Sequence, residues 1–321
     1  MTGGDATADA RIDWLLAVDP AIAWQVRRDL LGEPPAAWRP DRARVETQGW
    51  GARLLAHQDP DGQWAGGAFV PAGFTPEQWA QEGQPWTATT YALTQLRELG
   101  LDPGSERARR TVELVGRHAR WDHDGQPFWA GEVEECINGR TVADGAYFGV
   151  DVGPIVTRLL ADQQPDGGWN CERAAGSVRS SFDTTINVLE GLWQHELATG
   201  GTAATRAARA AGEEYLLARG LFRRLSTGEP ADPAMFDLLY PARWHFTVLR
   251  GLDHFRATGS SPDPRLGDAI ERLLARRRPD GRWPLDRHLA GRVWFGLDDG
   301  PGRPSPWITL LALRVLRWWA N

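Results

Sequence analysis

The chain has 321 residues, 42 acidic and 36 basic side chains and a formal net charge of −6, and every basic residue is arginine. The hydrophobic share of 42% is ordinary for a globular protein and supports a sizeable core, while arginines interleaved with acids form no basic stripe of the kind a nucleic-acid partner needs. Two cysteines make no disulfide framework, the first ten residues lack the basic start and apolar run of a signal peptide, and no apolar run is long enough to span a bilayer, so the expected setting is a reducing cytoplasm.

Helical periodicity runs along the whole chain and alternating β-branched runs are nearly missing, which predicts an all-α protein. The predicted helices come in six pairs. Residues 10–18 pair with 21–31, 41–57 with 86–99, 105–120 with 134–148, 153–163 with 181–197, 205–221 with 243–257, and 264–277 with 306–319. The first member of a pair is usually charged on one face, as at Glu271, Arg272, Arg276 and Arg277, and the second is more uniformly apolar, as from Ile308 to Leu313. A helix apolar all round is buried and one with a charged face lies outside. The alternation therefore predicts an outer ring around an inner ring, closed into an (α/α)6 toroid with residues 1–321 as one domain. Long connections rich in Gly, Pro and Trp, at 65–85, 171–179 and 284–305, are expected to gather over the N-terminal ends of the inner helices.

One short phrase recurs after the outer helices. Gln58-Asp59-Pro60-Asp61-Gly62-Gln63-Trp64 returns as Gln164-Pro165-Asp166-Gly167-Gly168-Trp169 and as Arg278-Pro279-Asp280-Gly281-Arg282-Trp283, with a weaker copy from Asp122 to Trp129. The gap from Asp166 to Asp280 is long enough for a further degenerate copy. A fixed period of this kind marks a repeat architecture. Pro-Asp-Gly is turn chemistry, so each phrase ends a helix and returns its Trp to pack against the helices on either side.

This phrase resembles the QW repeat of squalene and hopene cyclases, and the paired helices resemble the toroid that those enzymes share with protein prenyltransferase β subunits and lanthionine cyclases. The resemblance covers nearly the whole chain. It implies a terpenoid cyclase-like or prenyltransferase-like enzyme, a lyase, isomerase or transferase acting on an isoprenoid or similarly apolar substrate in a central Trp-lined cavity. Cyclases of the family carry Asp-x-Asp-Asp-Thr-Ala at the start of an inner helix, with the middle Asp as proton donor. The matching stretch here is Ser180-Ser181-Phe182-Asp183-Thr184-Thr185, which keeps the last Asp as Asp183 and loses the proposed acid at Phe182. Val142-Ala143-Asp144-Gly145-Ala146-Tyr147 resembles a prenyltransferase zinc stretch with Ala146 in place of its Cys.

Residues at the inner-helix starts are the ones a ligand at that end would meet. Asp183, Glu134, Glu135 and His245 are the catalytic candidates, because a carboxylic acid in a Trp-lined cavity has a raised pKa and serves as a general acid. Trp86, Asn138, Arg243, Trp244 and Trp307 are the substrate-binding candidates; aromatic faces stabilise cations and an arginine clamps an anion. Cys136, Cys171 and His245 form a candidate zinc set with an open fourth place, and lanthionine cyclases use a Cys-Cys-His zinc site in a similar toroid. The residues also leave open ordinary roles as N-caps, first-turn acids and core aromatics, and so a non-catalytic toroid that binds a small molecule.

Overall fold

Each outer helix carries a narrow apolar stripe and each inner helix is buried on most faces, and this difference sorts the elements into two concentric layers. The computed structural model describes residues 3–320, with side chains described from Ala10. The first pair is α1 (Gly3–Val18) and α2 (Pro20–Asp29), followed by α3 (Pro35–Arg44), α4 (Gly49–Ala56), α5 (Pro76–Glu82) and α6 (Thr89–Leu99). Then come α7 (Glu106–His118), α8 (Glu135–Tyr147), α9 (Gly153–Ala161), α10 (Phe182–Thr199), α11 (Ala203–Leu217), α12 (Val248–Ala257), α13 (Gly267–Ala275) and α14 (Pro306–Trp319). No strand occurs among the described residues beyond isolated bridges.

The inner ring runs α2, α6, α8, α10, α12, α14 and closes where α14 meets both α2 and α1. Along α7 only Ala108, Thr111 and Val115 are buried, a single stripe, whereas α8 buries Ile137 through Ala146 without interruption. Side-chain hydrogen bonds tie neighbouring inner helices together. Trp24 Nε1 donates to Leu99 O at 2.9 Å between α2 and α6, and Arg97 pairs with Asp144 at 2.8 Å between α6 and α8. Arg250 donates to Asn187 Oδ1 at 2.9 Å between α12 and α10, and Arg314 donates to Gln25 Oε1 at 2.6 Å between α14 and α2. The helices α8 and α10 meet through small residues instead, with Gly191 against the backbone of Gly139 and Gly139 against that of Asn187.

The repeated phrase folds the same way three times. The indole N–H groups of Trp64, Trp169 and Trp283 donate to the carbonyls of Leu54, Leu159 and Leu273 at 2.8, 2.6 and 2.8 Å. Their backbone N–H groups donate to the hydroxyls of Thr89, Thr185 and Thr309, each on the following inner helix, at 3.1 Å in every case. The turn glycines Gly62, Gly167 and Gly281 have φ of +92°, +96° and +76°, the left-handed region that Pro-Asp-Gly was read to need. In the weaker copy Trp129 bonds Val112 O of α7 at 3.2 Å, and in the long gap the fully buried Phe222 follows α11 where the other copies have Trp.

Two predicted helices differ. Residues 41–57 divide into α3 and α4, because Gly49 has φ +64° and Asp19 accepts from both Ala21 N and Trp50 N at 2.8 Å, capping α2 and α4 at once. The fifth inner helix begins at Val248 rather than Arg243: Arg243 has φ +55°, outside helical space, and Thr247 is the N-cap, accepting from Arg250 N at 3.1 Å. The short α5 lies inside a stretch read as loop, with a capping box between Thr75 and Gln78 that was legible as Thr-Pro-Glu-Gln.

Candidate functional site

The N-terminal end of the inner ring was expected to be the open mouth, and loops brace it. Residues of the 284–305 connection cross the segment before α6: Trp86 N donates to Arg292 O at 2.8 Å, Trp86 Nε1 to Ala290 O at 2.7 Å, and Trp294 Nε1 to Thr87 O at 3.1 Å. Trp244 Nε1 donates to Gln84 Oε1 at 2.8 Å, and the His57 ring stacks on Trp294 at 4.2 Å. Trp86 is buried and Trp244 half-buried, so both aromatics knit loops together instead of lining an open cup. The inner-helix N–H groups are largely occupied as well, with Asp19, Ser181, Thr247 and Ser305 as side-chain caps. Ser180 lies one residue before its cap and bonds Asp166 instead.

The cavity lies toward the opposite end. Its volume is about 550 Å³, within the range of small-molecule sites. The C-terminal halves of α2, α6, α8 and α10 wall it, together with α12, Leu311 and Arg314 of α14, and residues 239–243. Exposed Arg28 and Leu197 mark the rim, and buried Trp307 and Arg314 lie within. Arginine is frequent here for a physical reason: cations are favoured where helix carbonyls end, and Arg28, Arg97 and Arg256 occupy last turns. Most of these cations are paired. Arg97 meets Asp144 at 2.8 Å, Arg250 meets Glu190 at 2.7 Å, Arg256 meets Asp253 at 2.6 Å, and Arg28 and Arg314 share Asp29.

Arg243 differs. Among the described residues its guanidinium makes no ion pair and no hydrogen bond, and it sits 5.6 Å from the Trp86 ring. Burial, set against the pull of Glu98 and reinforced by Arg140, lowers its pKa to about 10. Arg140 donates to the Arg243 carbonyl and to Thr94 Oγ1 and forms no ion pair among the described residues. Glu98 is engaged by the Tyr240 hydroxyl at 2.9 Å, and burial together with that carboxylate raises the Tyr240 phenol well above its ordinary value. Trp307 is sandwiched between Tyr240 at 4.4 Å and Trp50 at 6.2 Å, and its buried Nε1 has no acceptor among the described residues. Arg243 and Trp307 both line the cavity, and the Trp307 Nε1 is turned into the protein, sealed from it.

Of the substrate-binding candidates, Arg243 and Trp307 line the cavity, while Trp86 and Trp244 hold loops as described. Asn138 is buried and brackets the backbone of Glu132, accepting from its N–H at 2.8 Å and donating to its carbonyl at 2.6 Å. Among the catalytic candidates, Glu135 is buried and neutralised by Arg173 at 2.8 Å, which removes it as a free acid. Asp183 accepts from Phe246 N at 2.6 Å and so fastens the start of α10 to the segment before α12, with burial raising its pKa. His245 packs on Trp244 with ring centroids 3.6 Å apart, and burial together with Arg287, Arg250 and Arg140 lowers it to about 4, leaving the imidazole neutral. Asp144 is buried between Arg97 and Thr94 and is not an open ligand.

The candidate zinc set is regrouped. Cys136, Cys171 and Glu134 place their ligand atoms within 4.8 Å of one another, and His245 is not part of that cluster. Glu134 is thus drawn to the thiols; burial raises its pKa, and the Cys136 thiol donates to it at 3.5 Å. The interaction between the thiols lowers Cys171 to about 7 and raises Cys136 well above its ordinary value.

The cavity residues that went unnoticed in the sequence include Trp24, Arg97, Glu98, Tyr240, Arg250 and Arg314. A signal was present for four of them, since Arg97, Glu98, Arg250 and Arg314 are charges inside helices otherwise read as buried. No helix among the described residues is long and apolar enough to cross a membrane.

No protein-family model matches the chain, and no curated protein matches its sequence. Among solved structures, a protein from Actinoplanes is 18% identical over 99% of both chains with a TM-score of 0.47. A type II terpene cyclase from Scytonema, in complex with geranylgeranyl dihydroxybenzoate, is 15% identical over 97% of this chain and 96% of that one, with a TM-score of 0.44.

Proposed function

We propose that this toroid takes an anionic small molecule with an apolar or aromatic body into its central cavity and acts on it as a terpenoid cyclase-like or prenyltransferase-like enzyme. The QW-type repeat implies an isoprenoid or similarly apolar substrate, and an isoprenoid diphosphate is the member of that class whose anionic group suits this cavity. The observation that carries the reading is Arg243, a half-buried side chain whose guanidinium has no carboxylate and no hydrogen-bond acceptor among the described residues, set on the cavity wall. Burying an unpaired charge is costly, and an anionic ligand would offset that cost. Trp24, Trp193 and Tyr240 provide flat apolar faces for the ligand body and for any cation formed on it.

The arrangement favours chemistry begun by departure of an anionic group. A fixed cation aimed at a leaving oxygen stabilises the charge that develops there, and Arg243 is placed to do so. Protonation-initiated cyclisation gains no support, since Phe182 replaces the family acid and Glu135 is held by Arg173. The cavity is thus more polar than the apolar cup expected from the resemblance.

Calorimetric titration with farnesyl diphosphate, farnesol and inorganic pyrophosphate tests the reading. The diphosphate ester should bind at least ~10-fold more tightly than either fragment, and Arg243→Met should remove most of that advantage. Equal affinity for farnesol and its diphosphate, or no binding of any of the three, would overturn it. Binding without product in gas chromatography would make the chain a binding toroid and remove the catalytic half of the proposal.

A further inference from the structure

The two cysteines lie 35 positions apart in sequence and converge on one carboxylate. We propose that Cys136, Cys171 and Glu134 bind one zinc ion, with the fourth position left to water or a ligand. This site is separate from the cavity and does not rest on the function proposed for it.

The geometry suits the metal. A tetrahedral zinc with sulfur at about 2.3 Å and oxygen at about 2.1 Å has a sulfur–oxygen edge of about 3.6 Å. Cys136 Sγ stands 3.5 Å from Glu134 Oε2, and all three ligand atoms fall within 4.8 Å of one another. Closure onto an ion therefore needs only small side-chain movements. Two thiolates select a soft or borderline metal such as zinc over magnesium or calcium.

The supporting structure holds both halves of the site. Glu134 and Cys136 are fixed by the start of α8. Cys171 opens a 3-10 turn, Cys171–Arg173, whose backbone is pinned from several sides. Cys171 N donates to Thr184 Oγ1 at 3.3 Å, and Asn170 accepts from Glu172 N at 2.9 Å and donates to Arg179 O at 2.6 Å. Arg173 then latches the turn onto α8 through Glu135 at 2.8 Å and onto α9 through Asp162 at 2.6 Å. Glu135 becomes intelligible here as a positioning residue that aligns Cys171 with Cys136. Outer partners of this sort commonly change metal affinity by about 10- to 100-fold.

The experiment is zinc titration of the reduced, chelator-stripped full chain in competition with a chromophoric chelator, followed by cobalt substitution. One zinc per chain is expected, with a thiolate-to-cobalt charge-transfer band. Cys136→Ser and Cys171→Ser should each weaken binding by roughly 100-fold or more, Glu134→Gln by roughly 10-fold, and His245→Asn should leave it unchanged. Circular dichroism of each variant checks that it folds. Should a serine variant unfold, X-ray absorption on the native zinc protein must show two sulfur and two lighter scatterers. No zinc uptake with both thiols titratable, retained stoichiometric zinc in the double serine variant, or a scatterer set without sulfur would overturn the site.

Discussion

Trp169 Nε1 donates to the carbonyl of Leu159 at 2.6 Å, ten residues earlier in the chain, and both residues are fully buried. The bond takes up a carbonyl near the end of α9 that has no continuing helix to satisfy it. The indole therefore seals a helix end and fills the space between layers. Trp169→Phe keeps an aromatic ring and leaves the Leu159 carbonyl without a partner, an omission worth about 1–3 kcal/mol. Urea unfolding should show that loss with little change in slope. Trp169→Ala should lose more, about 3–5 kcal/mol, because a cavity is added. A Phe variant as stable as the native protein would show that the bond does not seal the helix.

The contact between α8 and α10 depends on two missing side chains. A Cβ at Gly191 would lie 2.3 Å from the Gly139 carbonyl oxygen, and one at Gly139 would lie 2.5 Å from the Asn187 carbonyl oxygen. Neither obstacle is a flexible side chain, so the helices must separate. Gly191→Ala should destabilise by about 1–3 kcal/mol even though alanine is the better helix former. Thermal unfolding decides the point, and a rise in Tm would show that helix propensity outweighs the close approach.

The repeats were legible because their cause is local. Pro-Asp-Gly needs positive φ at its glycine wherever it occurs, and a Trp two residues beyond Gly62 or Gly167 has an outer helix immediately behind it. The inner and outer layers were legible for a similar reason, since the burial of α8 on nearly every face and of α7 on one stripe is written in the residue order. The accessible end of the ring was not. It is decided by where loops fold back, and the bonds of Trp86 to Ala290 and of Trp294 to Thr87 join positions more than 200 residues apart. Asp183 and Glu135 looked like exposed acids because their partners, Phe246 N and Arg173, come from other segments. Cys136 and Cys171 do converge, and the carboxylate beside them is Glu134, two positions from Cys136, while His245 lies outside that cluster.

Arg243 should trade stability for binding. With no partner among the described residues, its half-buried charge costs the empty protein free energy, and a methionine of similar length would remove that cost while filling the same space. Arg243→Met is expected to raise the Tm of the ligand-free protein by about 2 °C, corresponding to about 1 kcal/mol in a chain of this size. The same variant should lose the stabilisation that farnesyl diphosphate gives the native protein. Thermal scans with and without the diphosphate measure both effects. A fall in ligand-free Tm would mean that the guanidinium has a structural partner and is not held in reserve for an anion.

His245 makes stability depend on pH in a defined window. Its imidazole is lowered to about 4 in the folded chain, chiefly by burial and then by Arg287, Arg250 and Arg140, against 6.5 when unfolded. Its other neighbours are the neutral rings of Trp244 and Trp86. Between pH 4 and 6.5 the unfolded chain therefore binds more protons at this position than the folded chain does. Stability must fall as pH drops through that range and become independent of this group above it. Paired carboxylates contribute a loss of the same sign below about pH 5, so the diagnostic quantity is the difference between proteins. His245→Gln should show a shallower decline of urea midpoint from pH 6.5 to 5 than the native protein, with the two curves parallel above pH 7. Parallel curves throughout would mean that the imidazole is free to protonate in the folded state, and that the Trp244 stack does not shield it.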